Sequence, residues 1–142
     1  MEIWVQASDA VEQINFGPAP EGHVCNELAR ETLRQIEEYL RRQRTTFDIP
    51  LALPEGDGFR ARVQRALLDI PRGQAWSYGE LAAHVGNPRA VRAVGTACAS
   101  NPLPIVVPCH RVVRADGAIG NYLGGSEIKR MLLGVEGYTT KV

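Results

Sequence analysis

Long apolar segments are missing from this chain of 142 residues. No stretch approaches the roughly 18 apolar residues that a helix needs to span a bilayer. The first residues contain neither a basic region nor the apolar run of a signal peptide. We therefore expect neither membrane insertion nor secretion. A chain of this length supports one hydrophobic core, or two small lobes that share an interface.

Cysteine is also scarce, with 3 residues at irregular spacing. An odd and irregular set argues against a disulfide scaffold and favours a reducing compartment. Cys25 lies close to His23, but two ligands fall short of the four that a zinc site typically uses, so we expect no metal site. We interpret Cys25 and Cys98 as structural.

An excess of one charge is missing too, because 16 Lys and Arg balance 16 Asp and Glu. This balance hides two unlike halves. Residues 1–58 contain 5 basic and 11 acidic residues, a net −6, whereas residues 59–142 contain 11 basic and 5 acidic residues, a net +6. Such asymmetry favours a polyanionic partner for the basic half. The alternative, in which an acidic helix only balances a soluble surface, stays open.

The first half has the pattern of two strands and one helix. Residues 3–7 and 10–16 are rich in β-branched and aromatic side chains around a Ser-Asp turn, which predicts a hairpin. Apolar residues recur at helical spacing from about Val24 to Arg42, which predicts a helix. The alternating segment 47–51 is a candidate for a further strand. Residues 54–58 have the composition of a linker, and we place the boundary between lobes of residues 1–56 and 57–142 there.

The second half has the pattern of several short helices. Ser77 and Glu80 are spaced as in a capping box and predict a helix that follows Ser77. Asn87 as a cap and Pro88 at the first helical position predict another helix over residues 89–99. Two short helices joined by a tight turn are a candidate helix-turn-helix. One apolar stripe precedes them and ends near a Pro-Arg-Gly turn: Phe59, Val63, Leu67 and Ile70.

The helix predicted over residues 89–99 is built mainly from small residues, and Arg89 and Arg92 are its only charges. Small residues permit close backbone approach, which suits sequence-independent binding in a DNA minor groove. A buried helix packed by its small residues explains the composition equally well, so both interpretations stay open. Arg92 could enter a base stack, and its alternative is a surface salt bridge.

The segment from Val107 to Val112 places a thiol beside an imidazole and a guanidinium, at Cys109, His110 and Arg111. A thiol reacts as the thiolate, and a neighbouring base or positive charge raises the thiolate fraction. A carboxylate is needed to orient the imidazole, and the residues alone do not identify it. The competing interpretation is a small buried hydrophobic cysteine.

Residues from about 59 to 137 resemble the O6-alkylguanine-DNA alkyltransferases, which repair DNA by direct reversal. The resemblance implies an α/β (α+β) fold, with a small mixed sheet-plus-helix lobe followed by a mainly helical lobe that contains the helix-turn-helix and the cysteine loop. It rests on these segments: Ser77-Tyr78, Asn-Pro-Arg-Ala-Val-Arg from residue 87, Asn-Pro-Leu-Pro-Ile from residue 101, Pro-Cys-His-Arg-Val-Val from residue 108, Gly-Asn-Tyr-Leu-Gly-Gly from residue 120, and Glu136-Gly137.

The same resemblance implies a single, irreversible alkyl transfer without a cofactor. Cys109 would accept the alkyl group from O6-alkylguanine in DNA, with O4-alkylthymine as a further candidate substrate. His110 would deprotonate the thiol through a water molecule, and Glu136 would orient His110. Asn101 would brace the turn between the recognition helix and the cysteine loop.

Other residues are implied in binding the substrate. Tyr78 would donate to the purine ring and help to extrude the nucleotide, while Arg92 would fill the vacated space. Carbonyl groups at Cys109 and Val112 would accept hydrogen bonds from the exocyclic amine. The full set implied in binding substrate or DNA is Tyr78, Arg89, Arg92, Arg111, Val112, Tyr122, Leu123 and Gly124.

The expected partner is double-stranded DNA that carries alkylated guanine, bound by a monomer in the minor groove with little sequence preference. The expected location is the cytoplasm, with nucleoid association in a prokaryote, or the nucleus in a eukaryote. Leu123 stands where many relatives carry Ser, which can change the size of the pocket. Two rival functions are a non-catalytic binder of alkylated DNA and a Cys-His-Glu hydrolase. Cys109 argues against the binder, and nothing indicates an oxyanion hole for the hydrolase.

Overall fold

The computed structural model describes residues 1–138. The chain begins with the predicted hairpin, in which β1 (Ile3–Ala7) and β2 (Val11–Phe16) pair antiparallel. Val5, Val11 and Ile14 point inward and are buried, so one face of this two-stranded sheet belongs to the core. The prediction of a hairpin is therefore confirmed.

Helix α1 (Glu27–Leu40) packs against the hairpin. Asn26 caps it, because its Oδ1 accepts a hydrogen bond from the Ala29 N–H at 2.9 Å and its Nδ2 donates to the Ala7 carbonyl at 2.7 Å. The prediction of a helix start near Val24 was wrong by a few residues. Val24 is 77% exposed and lies before the cap, whose extended backbone ends the non-helical segment.

The strand considered for residues 47–51 does not form. Only Leu51 makes a bridge, and it is a single parallel bridge to Val11. The Val11 N–H donates to the Pro50 carbonyl at 2.8 Å, and the Ala52 N–H donates to the Val11 carbonyl at 2.9 Å. Because Pro50 has no N–H to give, this segment cannot extend the ladder there.

The second half of the described chain is mainly helical, as expected. One 3₁₀ turn (Leu67–Asp69) directly follows the helix Phe59–Ala66. Another 3₁₀ turn (Cys109–Arg111) directly precedes the strand Val112–Val113. Strands β3 (Trp76–Ser77) and β4 (Val112–Val113) pair in parallel. The elements in chain order are α2 (Phe59–Ala66), β3 (Trp76–Ser77), α3 (Tyr78–His84), α4 (Val91–Ala99), β4 (Val112–Val113) and α5 (Ser126–Val135). The division into lobes at residues 54–58 stays a prediction.

Helices α3 and α4 form the expected helix pair. The capping box is confirmed, because Ser77 Oγ accepts from the Glu80 N–H and Glu80 Oε1 accepts from the Ser77 N–H, both at 3.0 Å. The predicted start of the second helix was wrong. Residues 87–90 instead form a turn closed by a hydrogen bond from the Ala90 N–H to the Asn87 carbonyl, and α4 begins at Val91.

Helix α4 has one buried face and one exposed face, and small residues lie on both. Val94, Ala97 and Cys98 are buried, and Gln64 of α2 donates to the Ala97 carbonyl at 3.0 Å. The opposite face is open, with Arg92 exposed. The buried face agrees with the packing interpretation, and the interpretation of the open face as a surface for a DNA minor groove stays a prediction.

The two halves of the described chain share one continuous core. Hydrogen bonds also join them, among them Ile14 N–H to the Pro102 carbonyl at 2.8 Å, Arg42 Nη2 to the Gly134 carbonyl at 3.3 Å, and two bonds from Arg65, to the Pro54 carbonyl at 2.8 Å and to the Gly56 carbonyl at 2.9 Å. Within residues 1–138, every helix is too short or too polar to cross a membrane.

Candidate active site

The loop before the candidate nucleophile is held by one buried amide. Asn101 Nδ2 donates to the Val107 carbonyl at 2.9 Å, and Asn101 Oδ1 accepts from the Leu103 N–H at 3.0 Å. Ile105, between them, has a φ of 74° although it is β-branched, which is a strained conformation. Asn101 therefore makes two hydrogen bonds across this turn, and its bracing role in the reaction stays a prediction.

A cavity of about 600 Å³ opens directly over Cys109. Cys109 begins a 3₁₀ turn and is only 3% exposed, so its thiol is reached through this cavity. Four of the predicted binding residues line this cavity together with Cys109, namely Tyr78, Arg92, Tyr122 and Leu123. The lining residues are Tyr78, Val91, Arg92, Gly95, Thr96, Cys98, Ala99, Cys109, Arg114, Gly120, Asn121, Tyr122 and Leu123.

A buried carboxylate lies on the other side of the cysteine turn. His110 Nε2 lies 2.9 Å from Glu136 Oε2, and neither side chain is exposed. Arg111 donates through Nε to Glu136 Oε1 at 2.9 Å and through Nη2 to Oε2 at 2.8 Å. Glu136 is thus close enough to orient His110. The residue types alone did not show which carboxylate would have this position.

Burial fixes the protonation state of this cluster. Burial, with smaller contributions from the charges of Arg111 and Lys129, lowers the pKa of His110 to about 3, so the imidazole is neutral at pH 7. Burial raises the pKa of Glu136 to about 8. We nevertheless assign the ionised carboxylate, because the fork of Arg111 makes two charge-assisted hydrogen bonds to it. His110 Nε2 then carries the proton, and Nδ1 is buried without a partner among residues 1–138.

The thiol of Cys109 rests in its neutral form. Burial raises its pKa to about 11, whereas the Asn101 hydrogen bond and the charge of Lys129 oppose this shift. The Cys109 thiol and the His110 imidazole are therefore both uncharged at rest, and a thiolate and an imidazolium form only when the proton moves during the reaction. The geometry therefore favours general-base activation by His110 Nδ1 over a standing thiolate.

Lys129 is a residue that sequence reasoning missed. It is 1% exposed on α5, donates through Nζ to the Asn121 carbonyl at 3.1 Å and lies 5.9 Å from the ring centre of Tyr78. Burial lowers its pKa to about 8, and the thiols of the cavity oppose this shift. The available signal was its position three and four residues before the buried Leu132 and Leu133, on the apolar stripe of the helix.

Cys98 differs from its interpretation as a purely structural residue. It lines the same cavity as Cys109, and burial raises the pKa of its thiol to about 12. All three cysteines are free. Within residues 1–138, no group of three or more His, Cys, Asp or Glu side chains could hold a metal ion.

Several predicted binding residues lie outside the cavity wall. Arg111 uses its guanidinium on Glu136 and, at 2.6 Å, on the Ile70 carbonyl, so it faces the protein rather than the expected DNA. Val112 is buried in β4, and Gly124 packs against Phe16. Arg89 is exposed in the turn before α4.

Comparison with known proteins identifies the family. Residues 58–138 match the model of the 6-O-methylguanine DNA methyltransferase, DNA binding domain. A methylated-DNA–protein-cysteine methyltransferase of Methanosarcina acetivorans is 47% identical over 119 residues, which cover 83% of this chain and 76% of the relative. The crystal structure of Mycobacterium tuberculosis OGT in complex with DNA matches with a TM-score of 0.82 and 36% identity, over 94% of this chain and 85% of that chain.

These matches and the buried thiol define a methyltransferase that repairs DNA by direct reversal. The chain belongs to the 6-O-methylguanine DNA methyltransferase family, as the resemblance implied. The rival class is a weaker match. Schizosaccharomyces pombe Atl1, solved with DNA containing O6-carboxymethylguanine, has a TM-score of 0.52 and 34% identity, over 59% of this chain and 80% of that chain.

The protonation states predict how the reaction depends on pH. With the pKa of His110 at about 3 and that of Cys109 at about 11, both groups stay neutral between pH 5 and 7, a range that also lies below the pKa of about 8 of the neighbouring Lys129. We therefore expect the single-turnover rate with free O6-benzylguanine to change by less than about threefold over this range. In His110→Ala the thiol must ionise to solvent, so the rate should rise about tenfold per pH unit.

The exposed His84 offers a matched control, because it pairs with Asp69 away from the cavity. His84→Ala should keep the flat profile. A tenfold rise per pH unit in the unaltered protein would contradict the assigned resting state, since it would require a thiolate formed before His110 acts.

Proposed function

We propose that Cys109 takes the alkyl group of O6-alkylguanine in DNA, once per protein molecule. The observation that carries this proposal is that Cys109 lines a cavity and lies one residue from a buried neutral imidazole whose Nδ1 has no partner in the described part of the chain. This arrangement supplies a nucleophile, a base and an orienting carboxylate.

The reaction is a displacement at the alkyl carbon. His110 Nδ1 takes the thiol proton through a water molecule, and the sulfur forms a bond to the alkyl carbon as the bond from that carbon to O6 breaks. The electron pair of the broken bond stays on guanine O6. Tyr78 lines the cavity and keeps its proton at neutral pH because burial raises its pKa, so its hydroxyl can donate to the base. The product is a thioether with no route back, and no cofactor enters.

The exposed face of α4 is the proposed surface for DNA. Arg92 lies both on this face and at the cavity wall, and Arg89 is exposed just before the helix. Small neighbours allow the backbone to approach a minor groove closely, with little dependence on sequence. We propose that a monomer binds duplex DNA here and that Arg92 occupies the space left by the extruded nucleotide. O4-alkylthymine is a further candidate substrate.

The activity of this family takes place where DNA is stored. We place the protein in the cytoplasm with the nucleoid if the source is a prokaryote, and in the nucleus if it is a eukaryote. The three free cysteines are compatible with either reducing compartment.

The identity of the acceptor can be read by mass spectrometry. After incubation with DNA that contains methylated guanine, the unaltered protein should gain one methyl group, located on Cys109 by peptide mapping. Cys109→Ala should gain none and should still bind the DNA. Cys98→Ala is the matched control, since Cys98 lines the same cavity, and it should keep the gain. A methyl group on Cys98 or Cys25 in the Cys109→Ala variant would contradict the proposal.

Base extrusion can be separated from chemistry with two substrates. Arg92→Ala should slow repair of duplex DNA but hardly affect free O6-benzylguanine, because a free base needs no unstacking. If Arg92 contributes about 2 kcal/mol to extrusion, the selective loss is roughly thirtyfold. Single-turnover rates at saturating protein measure it.

Arg60→Ala, which removes the same charge from an exposed position on α2, is the control and should not show this selectivity. Equal slowing of both substrates by Arg92→Ala would rule out the role in extrusion and leave Arg92 a structural residue.

A further inference from the structure

Phe16, the last residue of β2, reaches from the first half of the chain to the wall of the cavity. Its ring meets the ring of Tyr122 edge to face, with centroids 5.8 Å apart and an interplanar angle of 65°. Tyr122 lines the cavity together with Cys109, and its hydroxyl is buried without a partner among the described residues. The ring contact is therefore a main restraint on the orientation of Tyr122.

Phe16 also explains why residue 124 is a glycine. A Cβ at Gly124 would lie 3.0–3.1 Å from three atoms of the Phe16 ring, which is tighter than nine in ten real Cβ contacts and would require the ring or the turn to move by a few tenths of an ångström. The backbone of Gly124 is not in the left-handed region, so any residue could adopt it. Gly125 shows the opposite situation, with a φ of 97° and open space around it. The three atoms nearest to a Cβ at position 124 all belong to the ring of Phe16, so this ring is the closest obstacle to a side chain there.

The strand that carries Phe16 is anchored beside the cysteine loop. The Ile14 N–H donates to the Pro102 carbonyl at 2.8 Å, next to Asn101. The Gly125 N–H donates to the Tyr122 carbonyl at 3.1 Å and closes a turn over residues 122–125. Strand β2 therefore contacts both the loop that leads to Cys109 and the turn that forms the opposite wall of the cavity.

We propose that Phe16 is a positioning residue for alkyl transfer, whose ring holds the 122–125 turn and thereby sets the width of the cavity at Tyr122 and Leu123. This inference rests on the proposed transfer to Cys109. It gives the small first half of the chain a role in the reaction, because displacement of this wall would move the alkyl group relative to the sulfur.

A pair of substitutions tests the contact. Gly124→Ala should push the turn into the cavity and slow transfer by at least about tenfold, because small misplacements near reacting atoms are costly. The loss should be larger for free O6-benzylguanine than for free O6-methylguanine, since a narrower cavity excludes the bulkier group first. In the Phe16→Leu background, which removes the crowding ring atoms but keeps an apolar side chain, Gly124→Ala should cost less than about threefold.

Phe47→Leu is the matched control. Phe47 belongs to the same half of the chain and packs against Tyr39, with ring centroids 5.1 Å apart and no part in the cavity. It should lower the melting temperature about as much as Phe16→Leu, yet leave the Gly124→Ala defect and the benzyl-to-methyl rate ratio unchanged. Melting curves for every variant show whether each is folded at the assay temperature.

Two results would overturn the positioning role: full activity of Gly124→Ala, or an equal loss from Gly124→Ala with and without Phe16→Leu. Failure of the proposed function is a different result, namely an alkyl group on a residue other than Cys109 in the unaltered protein. Peptide mapping of each reaction product therefore distinguishes the two.

Discussion

The buried carboxylate of Glu136 is the constraint around which the site is organised. A charged side chain that is buried away from water destabilises the fold unless it is paired and hydrogen-bonded. Glu136 contacts Arg111 on one side and His110 on the other. Removing one partner of such a cluster typically costs about 3–5 kcal/mol, because the remaining charge is left uncompensated. The hydrogen bonds that Glu136 accepts from His110 and Arg111 therefore connect the end of α5 to the cysteine turn.

The availability of a base for the neutral thiol of Cys109 follows from that arrangement. Because Glu136 holds His110 through Nε2, the Nδ1 atom is the one left to accept a proton. Asn101 then fixes the approach to the turn from the other side, in a loop strained enough to place Ile105 at a φ of 74°. Strain of this kind persists only where surrounding contacts over-determine the backbone, and here those contacts include the strand β2. Both halves of the chain thus make contacts with the loop that leads to Cys109.

Short-range patterns were readable from the sequence, and long-range contacts were not. The hairpin and the Ser77 capping box depend on neighbours in sequence, and both are present. The start of α4 and the segment 47–51 were predicted wrongly, because a turn after Asn87 and the missing N–H of Pro50 override the local pattern. The family motifs named Cys109 and its partners, but burial of Lys129 and the reach of Phe16 come from contacts between distant parts of the chain, which periodicity does not reveal.

The most direct test of the account is the protonation state and tautomer of His110. Nitrogen-15 NMR of the imidazoles, with His110→Ala to assign the signals among the 3 histidines, measures both. The account predicts a neutral ring at pH 7 with the proton on Nε2, and a ring that is still neutral at about pH 5, since burial lowers its pKa to about 3. An imidazolium at pH 7, or a proton on Nδ1, would contradict this prediction, because in neither form is Nδ1 available to accept the thiol proton.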